Sequence, residues 1–515
     1  MGVPESIRKV ARPKNTVVVD SGSGAMRYAV RERSGVEYVR GSNPRPKNGR
    51  VVGHIVGGRY VPSAGKKAAR LGDVVQVLSC GGAELALSAS EGIRKDLSDV
   101  YGSDGDAVAA IALLRCIRPG IRDSRLNSAY RESLISREIP GVALSAPRVS
   151  EFLRRLGGNR KLAKEFLRKR VAAVAEEDHL AVDGTLKQDT SEVNDLSGYS
   201  FKSRAKGTRD ISVLYAYDVE KGEAVCFDVY PGNMIDATSY RSFIEGNKLK
   251  RGIIVDDKGF PAKSAGSAFG DNPDLGFLTP LRRNDRRIGA NGMAEYDSSI
   301  TYRGRAIPCA KREVVEGKRW LYSYRDAERA AKEERGWAEA NRGLGPDEYR
   351  REYAKRRERF GTLVLESNRD LSPLSAYEAY AQRWLIELTF RQYKQALDLD
   401  STNVHYNSSV YGTELVNFVA TVISQRISER MDKAGLLEGD SYGNVMQDLN
   451  GVLKVDEGGA LVDAAANPRC IEMMQRLGLR KAPEKPAPKK RGRPKKQKEA
   501  KSAGACKLDP VIRTV

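Results

Sequence analysis

The sequence predicts an α/β protein built on a mixed sheet, and three observations carry that expectation. First, strand-like segments follow one another at His179 to Gly184, Ile211 to Tyr217 and Ala224 to Tyr230, then a helical stretch, Asp236 to Lys248, leads to a fourth at Gly252 to Asp256. Three consecutive strands and then a helix-linked one suit a sheet with both antiparallel and parallel neighbours. Second, the 515 residues are 40% hydrophobic and 30% charged, which allows a large core and argues against wholesale disorder. Third, the net charge of +21 is concentrated at the ends. Residues 1–70 hold 15 Lys and Arg against 4 Asp and Glu, and residues 480–501 hold 11 against 2, which leaves +1 for the rest. Two polycationic flanks around a nearly neutral centre fit a polyanion partner such as nucleic acid, because each neutralised phosphate releases counterions.

In chain order, residues 1–70 alternate apolar and polar positions in short runs (Thr16 to Val19, Tyr28 to Val30, Arg50 to Val56) punctuated by Gly and Pro, and read as β-hairpins. From about 85 to 175 the period becomes helical. Val149, Phe152, Leu153 and Leu156 keep the i, i+3, i+4, i+7 spacing, and Gly157-Gly158-Asn159 ends that helix and caps the next. The next helix, from Arg160 to about Ala175, places Leu162, Phe166 and Leu167 inward and Arg160, Lys161, Lys164, Arg168, Lys169 and Arg170 outward. A helix–turn–helix with such a second helix suits a major groove, and Arg160 and Lys164 are its candidate DNA contacts. An ordinary helical hairpin with a solvated face has the same pattern. Beyond the four strands above, Phe277 to Leu281 reads as a fifth, residues 290–325 as further strands, Glu328 to Arg359 as one highly charged helix, and Gly361 to Glu366 as another strand.

The tail holds Lys489-Lys490-Arg491-Gly492-Arg493-Pro494-Lys495-Lys496 between prolines and cannot bury a core, so it should be disordered. Its Arg-Gly-Arg-Pro centre resembles an AT-hook, with Arg491 and Arg493 as minor-groove contacts; a generic polybasic tail has the same composition. The six cysteines form no C-x-x-C pair and there are three histidines, which excludes a zinc ribbon or finger and fits a reduced, intracellular setting. The longest apolar run, Ala107 to Leu114, falls far short of the roughly 18 residues that span a bilayer, so no membrane is expected as a partner. The start spells M-G-x-x-x-S, which six-residue chance explains. No phosphate-binding loop, dinucleotide fingerprint, H-E-x-x-H or G-x-S-x-G occurs.

What remains for chemistry is carboxylates at strand ends. Asp183 closes the apolar run Leu180-Ala181-Val182, and Asp256-Asp257 closes Ile253-Ile254-Val255. Two such termini suit a divalent metal, which prefers hard oxygens and leaves positions open for phosphate and water; each alone could equally be a turn or cap aspartate. A helix then opens with Ser372 as N-cap and Pro373 at the first position. In it Tyr380, Arg383, Glu387 and Lys394 fall within about 60° of arc if the helix is ideal. That spacing is Y-x2-R-x3-E-x6-K, and from the residues alone it could be a plain solvated stripe. Trp384 and Phe390 beside it are expected to pack, and His405 beyond it to be structural or a phosphate neighbour. Arg282, Arg283, Arg286 and Arg287 are either DNA contacts or a solvated loop.

With these residues the chain resembles bacterial insertion-sequence transposases with an Asp-Asp-Glu site, of the insertion-sequence-four type. Val182-Asp183-Gly184-Thr185 is similar to the first-acid strand, Asp257-Lys258-Gly259-Phe260 to the D-R-G-F turn, and Glu387 stands at the third-acid position of the Y-R-E-K helix. The doublet departs from the pattern, and Asp257 is chosen over Asp256 because Lys-Gly-Phe follows it in register. The resemblance covers roughly 175–430. It implies a ribonuclease H-like mixed sheet interrupted by a mainly β insertion. The expected organisation is a basic β-hairpin region (1–70), a helical, DNA-binding region (71–175), the first segment of the core (176–289), the insertion (290–366), the second segment of the core with the Y-R-E-K helix (367–430), a C-terminal helical region (431–479) and the basic tail (480–515). It implies catalytic and metal-holding roles for Asp183, Asp257 and Glu387, two Mg²⁺ ions for which Mn²⁺ substitutes, and phosphate contacts from Arg383 and Lys394, with Tyr380 bonding the backbone or stacking on a base. The implied activity is metal-dependent strand cleavage and strand transfer on double-stranded DNA, cut-and-paste, by a homodimer on element ends and target, in the bacterial cytoplasm with the nucleoid. A domesticated or inactive DNA-binding protein on the same scaffold, or a plain metal-dependent nuclease, are the alternatives.

Overall fold

The computed structural model describes residues 3–21, 26–37, 45–62, 76–191, 193–200, 207–234, 236–256, 272–316, 318–457, 460–464 and 466–481. The chain divides into two compact units, Met1–Gln76 with Val455–Leu461, and Val77–Lys454 with Val462–Val515. In the first, the expected hairpins form. Strands β1 (Thr16–Asp20), β2 (Tyr28–Glu37), β3 (Arg45–Val56) and β4 (Arg59–Pro62) make an antiparallel sheet in that order. Gly57 and Gly58 join β3 to β4 with both φ angles positive, as a tight turn matching the strand twist requires. Val18, Val30 and Ile55 are its buried core, with Ile7, Tyr28 and Tyr60 packed against them.

In the second unit β5 (Gln76–Ser79) leads into helices Gly81–Tyr101, Ser103–Ile117, Leu126–Arg131, Ile135–Glu138, Ala146–Gly158 and Arg160–Val171. They gather around a long helix, Asn407–Lys433, which is buried on most sides because its apolar residues recur all round rather than in one stripe. Cys116 Sγ donates to Ala420 O at 3.2 Å, and Arg115 Nη1 to Asn417 Oδ1 at 2.5 Å. The Ala146–Gly158 helix crosses the long helix backbone to backbone. A Cβ on Gly157 would lie 1.9 Å from Ser408 O, and one on Gly412 would lie 1.9 Å from Leu153 O. Gly157 is therefore a crossing residue as well as part of the helix end, and Asn159 caps the next helix by accepting from Leu162 N at 3.3 Å.

The sheet follows the predicted order. Strands β6 (His179–Asp189), β8 (Arg209–Asp218) and β9 (Glu223–Pro231) form an antiparallel meander, with the short β7 (Gly198–Tyr199) beside β8. A helix, Asp236–Asn247, then carries the chain to β10 (Gly252–Val255), which lies parallel to β6 on one side and to β11 (Leu275–Pro280) on the other. The arrangement β9-β8-β6-β10-β11 is a mixed sheet consistent with a ribonuclease H-like core.

The strands expected as an insertion continue this sheet. β12 (Ser298–Tyr302), β13 (Arg305–Val315), β14 (Arg319–Arg325) and β15 (Thr362–Ser367) are antiparallel in order, and β15 pairs with β11. One core joins them: Ile253, Val255 and Leu278 pack with Tyr322, Tyr324 and Leu365, and with Ala376, Tyr377 and Ala379 of the Pro373–Gln382 helix. The charged stretch expected as one helix from Glu328 to Arg359 is two, Ala327–Ala340 and Pro346–Arg356. Gly343 and Gly345 weaken the helix between them, Pro346 starts a new one, and Trp337 packs back on Tyr349 with tilted rings whose centroids are 4.9 Å apart. Among the described residues no helix is long and apolar enough to cross a membrane.

Candidate active site

Asp183 follows Leu180, Ala181 and Val182, all at most 1% exposed, and is itself half-buried. Its Oδ1 accepts from Gly184 N at 2.8 Å. It pairs across the ladder with Tyr215 of β8, so the two side chains stand on the same face of the sheet. The Tyr215 ring meets Phe390 and Tyr393 with centroids 5.8 and 6.2 Å apart, and Phe418 of the long helix at 5.8 Å. The face that carries Asp183 is thus the face covered by the helix that carries Glu387. Three residues along β6, Leu186 O accepts from Lys394 Nζ at 2.9 Å. Glu387 is exposed and makes no side-chain hydrogen bond or ion pair among the described residues.

The helix expected to run unbroken from Ser372 does not. Ser372 Oγ accepts from Ser375 N at 3.0 Å and Pro373 stands at the first position, but the α-helix Pro373–Gln382 gives way to a turn at Arg383 and Trp384. A second helix, Leu385–Arg391, follows, and then a π-helical turn, Gln392–Ala396. The common arc expected for Tyr380, Arg383, Glu387 and Lys394 therefore does not hold, because a π turn takes up about one extra residue and rotates the residues after it. It sends Tyr393 fully inward and leaves Lys394 reaching β6. Tyr380 packs partly buried against the sheet core, with the Arg383 guanidinium 5.9 Å from its ring centroid. Arg383 Nε is buried without a hydrogen-bond partner among the described residues, a cationic donor turned from bulk water. Phe390 packs as expected. Trp384 does not: at the break in the helix it is 43% exposed.

Of the acidic doublet, Asp257 lies outside the described residues. Asp256 is 5% exposed. Its neighbour Val255 packs under the Pro373–Gln382 helix, so by alternation Asp256 turns to the opposite face. There the Tyr240 hydroxyl, on the Asp236–Asn247 helix, lies 3.0 Å from Val182 O and 3.4 Å from Asp256 Oδ1. Tyr240 also lines a small cavity with Asp183, Ser212 and Ser239, and nothing in its local sequence marked it.

The basic residues divide. Arg160 and Lys164, expected on an outward DNA-reading face, both turn to the buried Asp228: Arg160 Nη2 to Oδ1 at 3.1 Å, Lys164 Nζ to Oδ2 at 2.6 Å. Lys164 also donates to Asn247 Oδ1 at 3.0 Å, and Arg160 stacks 3.5 Å from the Tyr411 centroid. Arg170 pairs with Glu223 at 2.9 Å and Lys169 with Asp96 at 2.9 Å, so only Lys161 and Arg168 of the six stay exposed without a described partner. The outward face was inferred from helical period alone, and an acid 64 residues away reverses it. Arg283 pairs with Glu333, and Arg287 with Asp285 and Glu366, while Arg282 and Arg286 are exposed. Exposed His405 contacts Ser191 Oγ at 3.2 Å. Arg491 and Arg493 lie outside the described residues.

Among the described residues one group of three acids, Asp178, Asp218 and Glu220, is spaced to hold a metal ion. It already holds a cation. Lys221 Nζ bonds Asp178 and lies 2.8 Å from Asp218 Oδ2, and Glu220 Oε1 meets His179 Nδ1 at 2.7 Å. Burial works to raise the Asp178 carboxyl, yet the Lys221 bond and charge, the Ala175 N–H and the Asp218 contact together outweigh it and hold it below the ordinary range; at Asp218 burial wins and the carboxyl is raised. The group is a salt-bridged contact between the β8–β9 turn and Asp178, just ahead of β6.

Residues 175–413, from just before β6 into the long helix, match the family described as "Transposase DDE domain". No curated protein matches the chain. Two transposase complexes are among the solved structures similar to it. The piggyBac transposase synaptic complex with hairpin DNA is 14% identical, over 73% of this chain and 76% of that one, with a TM-score of 0.36. The Mos1 transposase paired-end complex with left transposon end is 14% identical, over 29% of this chain and 56% of that one, with a TM-score of 0.13. Likenesses this slight have no bearing on what the chain does. The family match does: over those residues the chain is similar to a transposase DDE domain, which supports an enzyme that cleaves DNA strands and transfers them.

Proposed function

We propose that the chain is a cut-and-paste DNA transposase of the insertion-sequence-four type, with Asp183, Asp257 and Glu387 as its acids. The observation that carries this is the face shared by Asp183 and the Glu387 helix, with Lys394 bonded to Leu186 O beside them. The donor set fits a divalent ion: carboxylates are hard oxygen ligands, one half-buried and one exposed towards solvent, which suits Mg²⁺ or Mn²⁺ and leaves room for phosphate. When bound, two such ions supply Lewis acidity to the scissile phosphate and lower the pKa of the attacking hydroxyl. Asp183, Asp257 and Glu387 would hold them. The chain's own cations do the positioning. Arg383 and Lys394, on either side of Glu387 in the chain, bind phosphates flanking the cut. Tyr380 packs against Arg383 and holds it in place. Two phosphoryl transfers follow in order: water frees a 3′-hydroxyl at the element end, and that hydroxyl attacks a target phosphate. Two copies acting on two ends account for paired cleavage, and Arg491 and Arg493 add minor-groove contact.

The test is to incubate purified protein with DNA carrying its flanking element ends and Mg²⁺. Nicked ends and joined molecules are expected, lost in Asp183→Asn and Glu387→Gln while DNA binding persists. Substantial cleavage in excess EDTA, or by Asp183→Asn, overturns the proposal.

A further inference from the structure

We propose that Glu414 is a positioning residue for this reaction, setting the spacing between the strand of the first acid and the turn that bears Lys394. It rests on the site proposed above. Glu414 stands on the long helix, just past the family match, and is buried with Lys187 of β6: their side chains are 1% and 2% exposed, with Nζ to Oε1 2.6 Å. Glu414 Oε2 accepts from the Tyr393 hydroxyl at 2.7 Å, and Oε1 accepts also from Asn417 Nδ2 at 3.0 Å. Asn417 accepts in turn from Arg115, which pairs with Asp123 at 3.1 Å.

Two of the three donors to Glu414 lead straight to the site. Lys187 lies four residues past Asp183 on the same face of β6. Tyr393 precedes Lys394 in the π turn, and Lys394 bonds Leu186 O, the residue before Lys187. One carboxylate therefore ties together the two segments whose separation decides how Asp183 faces Glu387 and Lys394. Stability alone is a poor reason for such a group, because the cost of desolvating two charges offsets their attraction and an apolar pair of equal volume folds as well. What the charged pair adds is direction. Three hydrogen bonds fix the Glu414 carboxylate, and burial, reinforced by Glu414, holds the Tyr393 hydroxyl protonated as a donor. Ligands of a metal site must be held within about half an ångström, which an apolar contact does not ensure.

Two variants of the full chain test this on element-end DNA. Lys187→Met with Glu414→Gln replaces the ion pair by a neutral set in which Gln can still bond Tyr393 and Asn417; Tyr393→Phe removes one hydroxyl. Melting temperature, DNA affinity, Mn²⁺ affinity of the protein–DNA complex by electron paramagnetic resonance, and cleavage kinetics are measured. Both variants are expected to keep the melting temperature and DNA affinity. Mn²⁺ affinity should weaken on the order of tenfold. In cleavage kcat should fall with KM for DNA unchanged, and excess Mn²⁺ should restore some of it. A folded variant with wild-type Mn²⁺ affinity and kcat overturns the inference, and Tyr393→Phe decides alone if the double variant does not fold. A wild-type protein that neither binds Mn²⁺ nor cleaves overturns the underlying site as well, which is a different result from a variant that matches an active wild type.

Discussion

Asp256 has its carboxylate on the Tyr240 side of the sheet, away from Glu387, and this separates two adjacent acids by experiment. Asp256→Asn should leave cleavage within a few-fold of wild type and cost about 1 kcal/mol of stability, the scale of one buried hydrogen bond. Asp257→Asn should abolish cleavage and leave melting unchanged. The reverse pattern in a gel-based cleavage assay would move the second acid to Asp256. Lys394 makes a similarly sharp case. Its bond to Leu186 O is replaceable, so Lys394→Ala should lower the unfolding free energy by only about 1 kcal/mol. If it binds a phosphate beside the cut, joining should fall by on the order of a hundredfold, the usual cost of losing one charged donor near the reacting centre. Equal joining by Lys394→Ala and wild type would make it a strand–helix tether and no more.

At the scale of elements, two packing contacts carry predictions. The crossing of the Ala146–Gly158 helix with the long helix allows no side chain at Gly157, so Gly157→Ala should cost about 3 kcal/mol or more in urea denaturation. Gly158→Ala, with nothing within 4 Å, should instead be neutral or gain up to about 1 kcal/mol from helix propensity. The second contact is Glu333, which takes Arg283, Arg329 and the Gly361 N–H. Burial acts to raise its carboxyl, but the Arg283 bond, the Gly361 N–H and Arg329 together hold it down to about 2. A depressed carboxyl stabilises fully above its ordinary value of 4.5 and loses that contribution as pH falls towards about 2. Glu333→Gln should therefore melt below wild type at about pH 7, and the gap should close between pH 4.5 and about 2. A gap that stays constant across that range would show that charge is not what Glu333 supplies.

For the whole molecule, the charge at the ends still predicts behaviour that the described residues do not touch. Removing residues 482–515 should weaken binding to every DNA and flatten its salt dependence, because those charges act through phosphate. Loss confined to element-end sequences in competition binding would assign the tail to recognition instead. Much of the mixed sheet was legible in the residues. Apolar runs of the right length announced β6, β8, β9, β10 and β11 in order, because strand period and turn residues are local properties. The Y-x2-R-x3-E-x6-K spacing drew attention to a helix that does lie on the Asp183 face. Its break at Arg383 and its π turn were not legible, since no Pro or Gly marks either. Nor was the pairing of Arg160 and Lys164 with Asp228, or of Lys187 with Glu414 across 227 residues. A chain segment encodes its own period and its own charge. Which buried acid a cation meets depends on segments far away in sequence, and only their packing decided that two basic residues pair with Asp228 while Lys394 reaches Leu186 O of β6.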